Sequence, residues 1–185
     1  MCAALAAACN DSTPAAGGDR APAVTSTTVR PAVAWPASSR VDERALASLG
    51  REGQSREAEV RALVARSPVP VLAPQELVLG TPTLVVEGEY YALTGRVAGA
   101  TIAMQGTRAA HRYHGIEPAT GNRDVRGTKG FVSVNEGIRT VSWIENGAAY
   151  SVDVECADPR DARCLSDDFV LSVVTQLTFV GGAGR

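Results

Sequence analysis

The spacing of apolar residues changes once along the chain, from a helical period to strict alternation. Residues 41–66 carry apolar side chains three and four positions apart, whereas from Val69 onward apolar and polar residues alternate in short runs. Short alternating runs between turn residues are typical of antiparallel strands. The sequence therefore predicts a meander of strands, at about 83–87, 89–97, 100–105, 107–113, 130–134, 138–145 and 148–156.

The last two of these strands form the clearest hairpin. Asn146-Gly147 between them favours a two-residue turn, because both residues tolerate positive φ. This turn places Trp143 directly opposite Tyr150, and the alternation puts both rings on the same face of the sheet. That face is predicted to form the core, whereas the opposite face, which carries Ser142, is predicted to be wet.

Two helical segments flank the strands. Residues 41–66 have a narrow apolar stripe among five acidic and five basic residues, which predicts a peripheral helix interrupted at its glycines. Residues 166–178 follow a candidate N-cap at Ser166 and have a broad apolar stripe, which predicts an amphipathic helix buried on the sheet. The expected fold class is α+β, with an antiparallel meander sheet, the peripheral N-terminal helix, and the C-terminal helix packed on one face, in a domain over 67–185.

Residues 10–40 show neither helical nor strand periodicity and are rich in Ala, Pro, Ser and Thr. Such a segment buries too little apolar surface to offset its ordering entropy, so it is predicted to be a disordered tether. It contains a single tryptophan, Trp35. Whether Trp35 is incidental or docks on the domain or on a partner is left open.

Residues 1–9 form a run of small apolar residues that ends on Cys9. Leu5-Ala6-Ala7-Ala8 before this cysteine resembles the end of a bacterial lipoprotein signal peptide, which implies that Cys9 is lipidated. We expect an upstream start to supply the charged region and most of the apolar region that such a peptide has. Residues 1–9 are then its remnant, and the chain is held in the periplasm by the inner or outer membrane. The alternative is an Ala-rich disordered start.

A second pair of cysteines lies near the C-terminus. Cys156 and Cys164 flank a polar, turn-forming loop, and in an oxidising compartment two such thiols join. The sequence therefore predicts a disulfide that contributes about 2–3 kcal/mol in the chain-entropy model. The competing interpretation is a pair of free thiols in a cytosolic protein.

Composition narrows the range of partners. The formal net charge of −2 excludes nucleic-acid binding by charge alone, and the longest apolar run is far shorter than the roughly 20 residues of a membrane-spanning helix. The polar, glycine-containing stretch 114–130 is a candidate partner loop that contacts a protein or anionic headgroups. An ordinary solvated loop is the alternative. The basic residues around this stretch are Arg112, Arg123, Arg126 and Lys129.

No grouping of residues in the sequence indicates a catalytic, metal or cofactor site. His111 and His114 lie three apart in a predicted strand, so their imidazoles point to opposite faces and are not placed to chelate together. The aspartates around Cys164 lack the regular spacing and the glycine of a calcium-binding loop. We therefore expect a protein that is not an enzyme and that carries no metal and no cofactor.

Short stretches of the sequence resemble bacterial envelope proteins. The C-terminal part resembles a domain of sigma-factor regulators and envelope-stress lipoproteins, and two further stretches resemble uncharacterised envelope lipoproteins. These stretches are Gly-Phe-Val-Ser-Val at 130–134, Trp143-Ile144-Glu145-Asn146-Gly147 with Tyr150 and the following helix, and, further upstream, Pro70-Val71-Leu72-Ala73-Pro74 and Gly106-Thr107-Arg108. The resemblance implies location in the envelope rather than a chemistry.

Three classes of function follow from these features. The leading hypothesis is a non-catalytic periplasmic lipoprotein whose domain binds a partner protein or an envelope component. The first alternative, carried by the resemblance, is a carrier or sensor in which a curved sheet holds an acyl chain or a lipidated peptide. The second alternative is an enzyme of unknown class.

Overall fold

The computed structural model describes residues 25–51 and 54–184, and the fold is α+β as expected. Seven antiparallel strands form an open sheet in the order β3-β4-β5-β10-β9-β8-β7, and β1 with β6 and β2 with β11 form two smaller sheets. The strands are β1 (Ser26–Val29), β2 (Val71–Pro74), β3 (Gly80–Glu87), β4 (Tyr90–Val97), β5 (Ala100–Thr107), β6 (Ala110–Tyr113), β7 (Arg123–Val125), β8 (Thr128–Asn135), β9 (Ile138–Glu145), β10 (Ala148–Cys156) and β11 (Leu177–Gly181). The α-helices are α1 (Glu43–Ser48), α2 (Gln54–Ala65), α3 (Ala162–Leu165) and α4 (Asp168–Thr175). Within these residues no helix is long and apolar enough to cross a membrane.

The predicted hairpin register is confirmed. Trp143 lies opposite Tyr150, and Asn146 and Gly147 form the turn with φ of 55° and 76°. Both rings are 3% exposed and stack with their centroids 5.4 Å apart. The local turn chemistry and the alternation agree on one register, which is why this element is readable from sequence.

One face of the large sheet carries the core, and two tyrosines join it to β2. The Tyr150 hydroxyl donates to the carbonyl of Pro70 at 3.0 Å, and the Leu72 amide donates to the Tyr91 hydroxyl at 3.1 Å. Burial raises the pKa of both phenols. A Cβ atom at Gly106 would lie 2.6 Å from one ring and 2.8 Å from the other, so this position has room only for glycine.

The N-terminal helical segment consists of two helices, α1 and α2, broken near the glycines as expected. Each helix buries a narrow apolar stripe that includes Leu46 in α1 and Val64 in α2. The two helices pack on the β2–β11 and β3 side of the core.

The predicted C-terminal helix 166–178 is shorter than expected. Helix α4 has Asp167 rather than Ser166 at its N-cap and ends at Thr175, and the chain then continues as β11, which pairs with β2. The expected burial of the helix on the sheet is confirmed for Val170, Val173 and Val174. The strand was missed because its partner β2 lies about a hundred residues away in the sequence.

The expectation of a structureless tether is wrong for its described part, residues 25–40. Strand β1 pairs with β6, and Trp35 docks on the domain so closely that a Cβ atom at Gly182 would lie 2.2 Å from its ring. The β-branched residues of β1 favour this extended conformation. Residues 10–24 and Cys9 lie outside the described residues.

The disulfide between Cys156 and Cys164 is present, with the two Cα atoms 6.1 Å apart. It joins the end of β10 to α3, and two arginines strengthen the same corner. Arg163 donates to the carbonyl oxygens of Val97 and Ala98, and Arg139 donates to the carbonyl of Cys164 at 2.7 Å. The start of the C-terminal helices is therefore fixed both covalently and by charge-assisted hydrogen bonds.

Candidate functional site

The segment 114–122 separates two open clefts on the molecular surface. The first, here called the ribbon cleft, has a volume of about 780 Å³ and is lined by Thr25, Thr27 and residues 111–118. The second, the sheet cleft, has a volume of about 370 Å³ and lies between residues 119–121 and strands β8, β9 and β10. Both clefts adjoin the stretch that the sequence identified as a candidate partner loop.

The sheet cleft opens onto the face of the large sheet that points away from the core, here called the outer face. Strand register places six residues in a row across it: Phe131, Ser142, Ser151, Gln105, Ala92 and Val85. The ends of this row are large and apolar, and most of its centre is small. Phe131 at one end of the row is 40% exposed, and Ile144 beside the row is 65% exposed. In the described part of the chain, the helices pack on the opposite, core face.

Asn122 holds the end of the segment against β8. Its side-chain amide donates to the Val132 carbonyl at 3.2 Å, and its carbonyl oxygen accepts from the Val132 amide at 2.9 Å. The neighbouring Gly121 approaches β8 so closely that a Cβ atom there would lie 2.3 Å from the carbonyl oxygen of Gly130. These contacts fix one wall of the sheet cleft without a regular strand.

The ribbon cleft is built on the two-stranded sheet of β1 and β6. His111, Arg112, Tyr113 and His114 are all exposed, and His111 contacts Thr28 at 3.4 Å. Among residues 25–51 and 54–184, no group of three or more His, Cys, Asp and Glu side chains is placed to hold a metal ion. The ribbon therefore presents an aromatic, basic and hydrogen-bonding surface without a metal cluster in that part of the chain.

An ion-pair cluster fastens this ribbon to the large sheet. Arg30, directly after β1, donates to one oxygen of Glu89 at 2.8 Å, and Arg108 donates to the other. Hydrogen bonds from Arg108 and then from Arg30 lower the pKa of Glu89. The base of the ribbon thus carries one carboxylate between two guanidinium groups.

Two of the four basic residues of the expected partner loop line a cleft, and the other two lie beside carboxylates of the domain. Arg112 lines the ribbon cleft, and Lys129 lines the sheet cleft while pairing with Asp124 at 2.7 Å. Arg123 lies 3.5 Å from Asp167. The stretch 114–130 is not one continuous loop, because it contains β7 and the start of β8.

Arg126 has a structural role that the sequence did not indicate. Its guanidinium donates to both carboxylate oxygens of Glu145, at 2.7 and 3.2 Å. It also donates to the carbonyl oxygens of Val174 and Leu177, at the end of α4. A bidentate ion pair and two carbonyl oxygens therefore give Arg126 a role within the fold, while its expected contact with a partner stays a prediction.

The Glu145 carboxylate accepts hydrogen bonds from two side chains, Arg126 and Trp143. Burial acts to raise its pKa, but hydrogen bonds from Arg126 and from the Trp143 indole hold the pKa below its ordinary value. The position was readable in part, because Glu145 follows Trp143 by two residues and shares its core face. An acidic residue on a core face requires a cation, although the sequence does not say which one.

Comparison of the chain with protein-family models, with curated proteins and with solved structures found no match. The surface features that remain to indicate a function are the two clefts and the outer face. Their exposed groups are large apolar side chains with a few cations, a combination suited to binding a surface.

Proposed function

We propose that this chain is a non-catalytic periplasmic lipoprotein whose α+β domain binds a partner protein through the outer face of its large sheet. The observation that carries the proposal is the exposed apolar pair Phe131 and Ile144 beside a row of small side chains on that face. The anchor at Cys9 is the second part of the proposal and rests on the sequence pattern alone.

The outer face has the form of a docking surface. Small side chains such as Ser142 and Ala149 let a partner approach the backbone closely, whereas Phe131 and Ile144 offer apolar area to bury. Large anchors beside near-neutral contacts are the usual pattern of an interface whose energy comes from a few residues. Antiparallel sheets commonly leave one face in water, so scattered polar residues there do not indicate a partner. The exposed apolar side chains of Phe131 and Ile144 do favour a partner protein on this face.

The packing of the opposite face favours binding over the carrier alternative. A carrier of acyl chains requires an apolar cavity between the sheet and its helices. The side chains of Leu93, Ile102 and Val152, on the core face, are fully buried. These three side chains do not line an open cavity, so they give the carrier hypothesis no support.

The environment of the polar groups favours binding over catalysis. Glu145 is a partly buried carboxylate next to Ile144 of the sheet cleft, and Arg126 and Trp143 occupy its oxygens. A general acid or base needs a shifted pKa near the working pH and a free site for the substrate proton. Glu145 has a lowered pKa and no such site.

The proposal predicts that Phe131→Ser and Ile144→Ser abolish partner retention. The tagged protein would be recovered from detergent-solubilised envelopes, and co-purifying proteins quantified by mass spectrometry. Loss of one anchor is expected to lower recovery of a specific envelope protein about ten-fold or more, equivalent to at least about 1.4 kcal/mol.

The matched control is Val78→Ser, an equivalent loss of an exposed apolar side chain away from both clefts. Exposed substitutions change stability by only about 0.5 kcal/mol, so all three variants are expected to fold. Unchanged recovery with both outer-face variants would refute the docking surface.

A further inference from the structure

We infer that the ribbon cleft rests on the anionic headgroups of a phospholipid membrane. The inference deepens the proposed function, because it relies on the lipid anchor at Cys9 to bring the domain to that surface. The β1–β6 ribbon would then bind a membrane surface, whereas the outer face would bind the partner protein.

The ribbon lies close to the proposed membrane anchor along the chain, because the segment that carries Cys9 joins it at Thr25. The amide of His114 donates to the carbonyl of Thr25 at 3.1 Å, so this end of the ribbon is where residues 1–24 begin. About 16 residues separate Thr25 from Cys9, and a chain of that length spans at most about 55 Å. A Cys9 held in a bilayer therefore keeps the ribbon cleft within about 55 Å of the headgroups.

The side chains at this end suit a headgroup layer. Tyr113 is 49% exposed and Ile116 is 57% exposed, and both line the cleft. Tyrosine prefers the membrane interface because its ring is apolar and its hydroxyl is polar. Arg112 offers several donors to phosphate oxygens, and His111 and His114 also line the cleft. The charge that opposes these groups within the cleft lining is Glu117.

The exposure of the ribbon provides a second argument. A two-stranded sheet has no core of its own and is only marginally stable in water. Every residue of β6 beyond Ala110 is exposed, and β1 buries little more. Contact with a surface would remove Tyr113 and Ile116 from water without displacing any packed element. The competing occupant is a peptide that adds a strand to the ribbon edge, which needs no basic residue.

A weak affinity is enough for this contact. A tethered group experiences an effective concentration in the millimolar range, so the free domain need only bind vesicles at millimolar lipid. One basic residue near an anionic surface is worth about 1 kcal/mol, which corresponds to a five-fold change in partitioning.

The test uses the full chain with Cys9→Ser, so that lipidation plays no part. Sedimentation with vesicles of phosphatidylethanolamine and phosphatidylglycerol is compared with phosphatidylcholine vesicles, up to about 5 mM lipid. Binding to the anionic vesicles alone is expected. Arg112→Gln should reduce the partition coefficient about five-fold, and Ile116→Ser should reduce it by a similar factor. Arg66→Gln and Val78→Ser, both at exposed positions elsewhere, should leave it unchanged.

Equal binding to both vesicle types, or no binding to either, would overturn the inference. Loss of vesicle binding in 10 mM glycerol phosphate would also overturn it, in favour of a site for a free phosphate ester. Failure here is distinguishable from failure of the anchor, because fatty-acid labelling of Cys9 is measured on the lipidated protein and does not depend on the ribbon.

Discussion

Replacing Trp143 with alanine is expected to lower the free energy of unfolding by about 3–5 kcal/mol, the usual cost of deleting a large buried aromatic side chain. Trp143 is 3% exposed, stacks on Tyr150, and donates its indole hydrogen to Glu145 at 3.0 Å. The substitution leaves a cavity in the centre of the sheet and removes one of the two donors that hold the Glu145 carboxylate. Equilibrium unfolding in urea, with the slope compared between variants, measures the loss.

The adjacent residue provides the control. Ile144 points to the outer face and is 65% exposed, so Ile144→Ala is expected to cost less than about 0.5 kcal/mol. A cost below about 1 kcal/mol for Trp143→Ala would mean that the indole is not part of the core. A large cost for Ile144→Ala would mean that the outer face is covered in the isolated protein.

Replacing Arg126 with methionine is expected to lower the free energy of unfolding by about 2–4 kcal/mol at neutral pH. The change retains the apolar stem but leaves the half-buried Glu145 carboxylate without its cation and removes the donor to the Val174 and Leu177 carbonyls. Removing one partner of a buried pair costs more than the pair contributes, because the other charge stays desolvated. The double variant Arg126→Met with Glu145→Gln should therefore be less destabilised than the sum of the two single variants.

The same ion pair gives a signed pH dependence. The folded-state pKa of Glu145 lies below its unfolded value, so its contribution to stability is complete above the ordinary carboxyl range. It is lost as the pH falls below about 4 and through the folded-state pKa. The difference in stability between the native chain and Glu145→Gln should shrink over that range. A difference that is constant from pH 7 to pH 3, or that grows on acidification, would contradict the ion-pair assignment.

The parts of the fold that could be predicted are those whose signals are local. The turn at Asn146-Gly147 and the alternation on either side of it determine the 138–156 hairpin, and the structure has that register. Strands β1 and β11 could not be predicted in this way, because each pairs with a strand about eighty to a hundred residues away. A short β-branched run is stable as a strand only if such a partner exists.

The candidate site shows the same division. Alternation from Trp143 is sufficient to place Ile144 on the outer face, but it does not show that Phe131 lies opposite Ser142 on the next strand. The structural role of Arg126 could not be predicted because its partners, Glu145 and the end of α4, come together only in the folded chain. From sequence alone, a basic residue in a turn between strands is predicted to be exposed to solvent, whether or not it forms an ion pair in the folded chain.

The central claim, that this is a lipid-anchored envelope protein, is tested most directly by fatty-acid labelling at Cys9. The chain would be expressed with the charged and apolar regions of a lipoprotein signal peptide added before residue 1, in cells grown with radiolabelled palmitate. Cys2→Ser serves as the matched control, since it removes the other cysteine of the same segment. We expect label in the native chain and in Cys2→Ser, with both in the membrane fraction, and no label in Cys9→Ser. Label that persists in Cys9→Ser, or a native chain that takes up none, would contradict it.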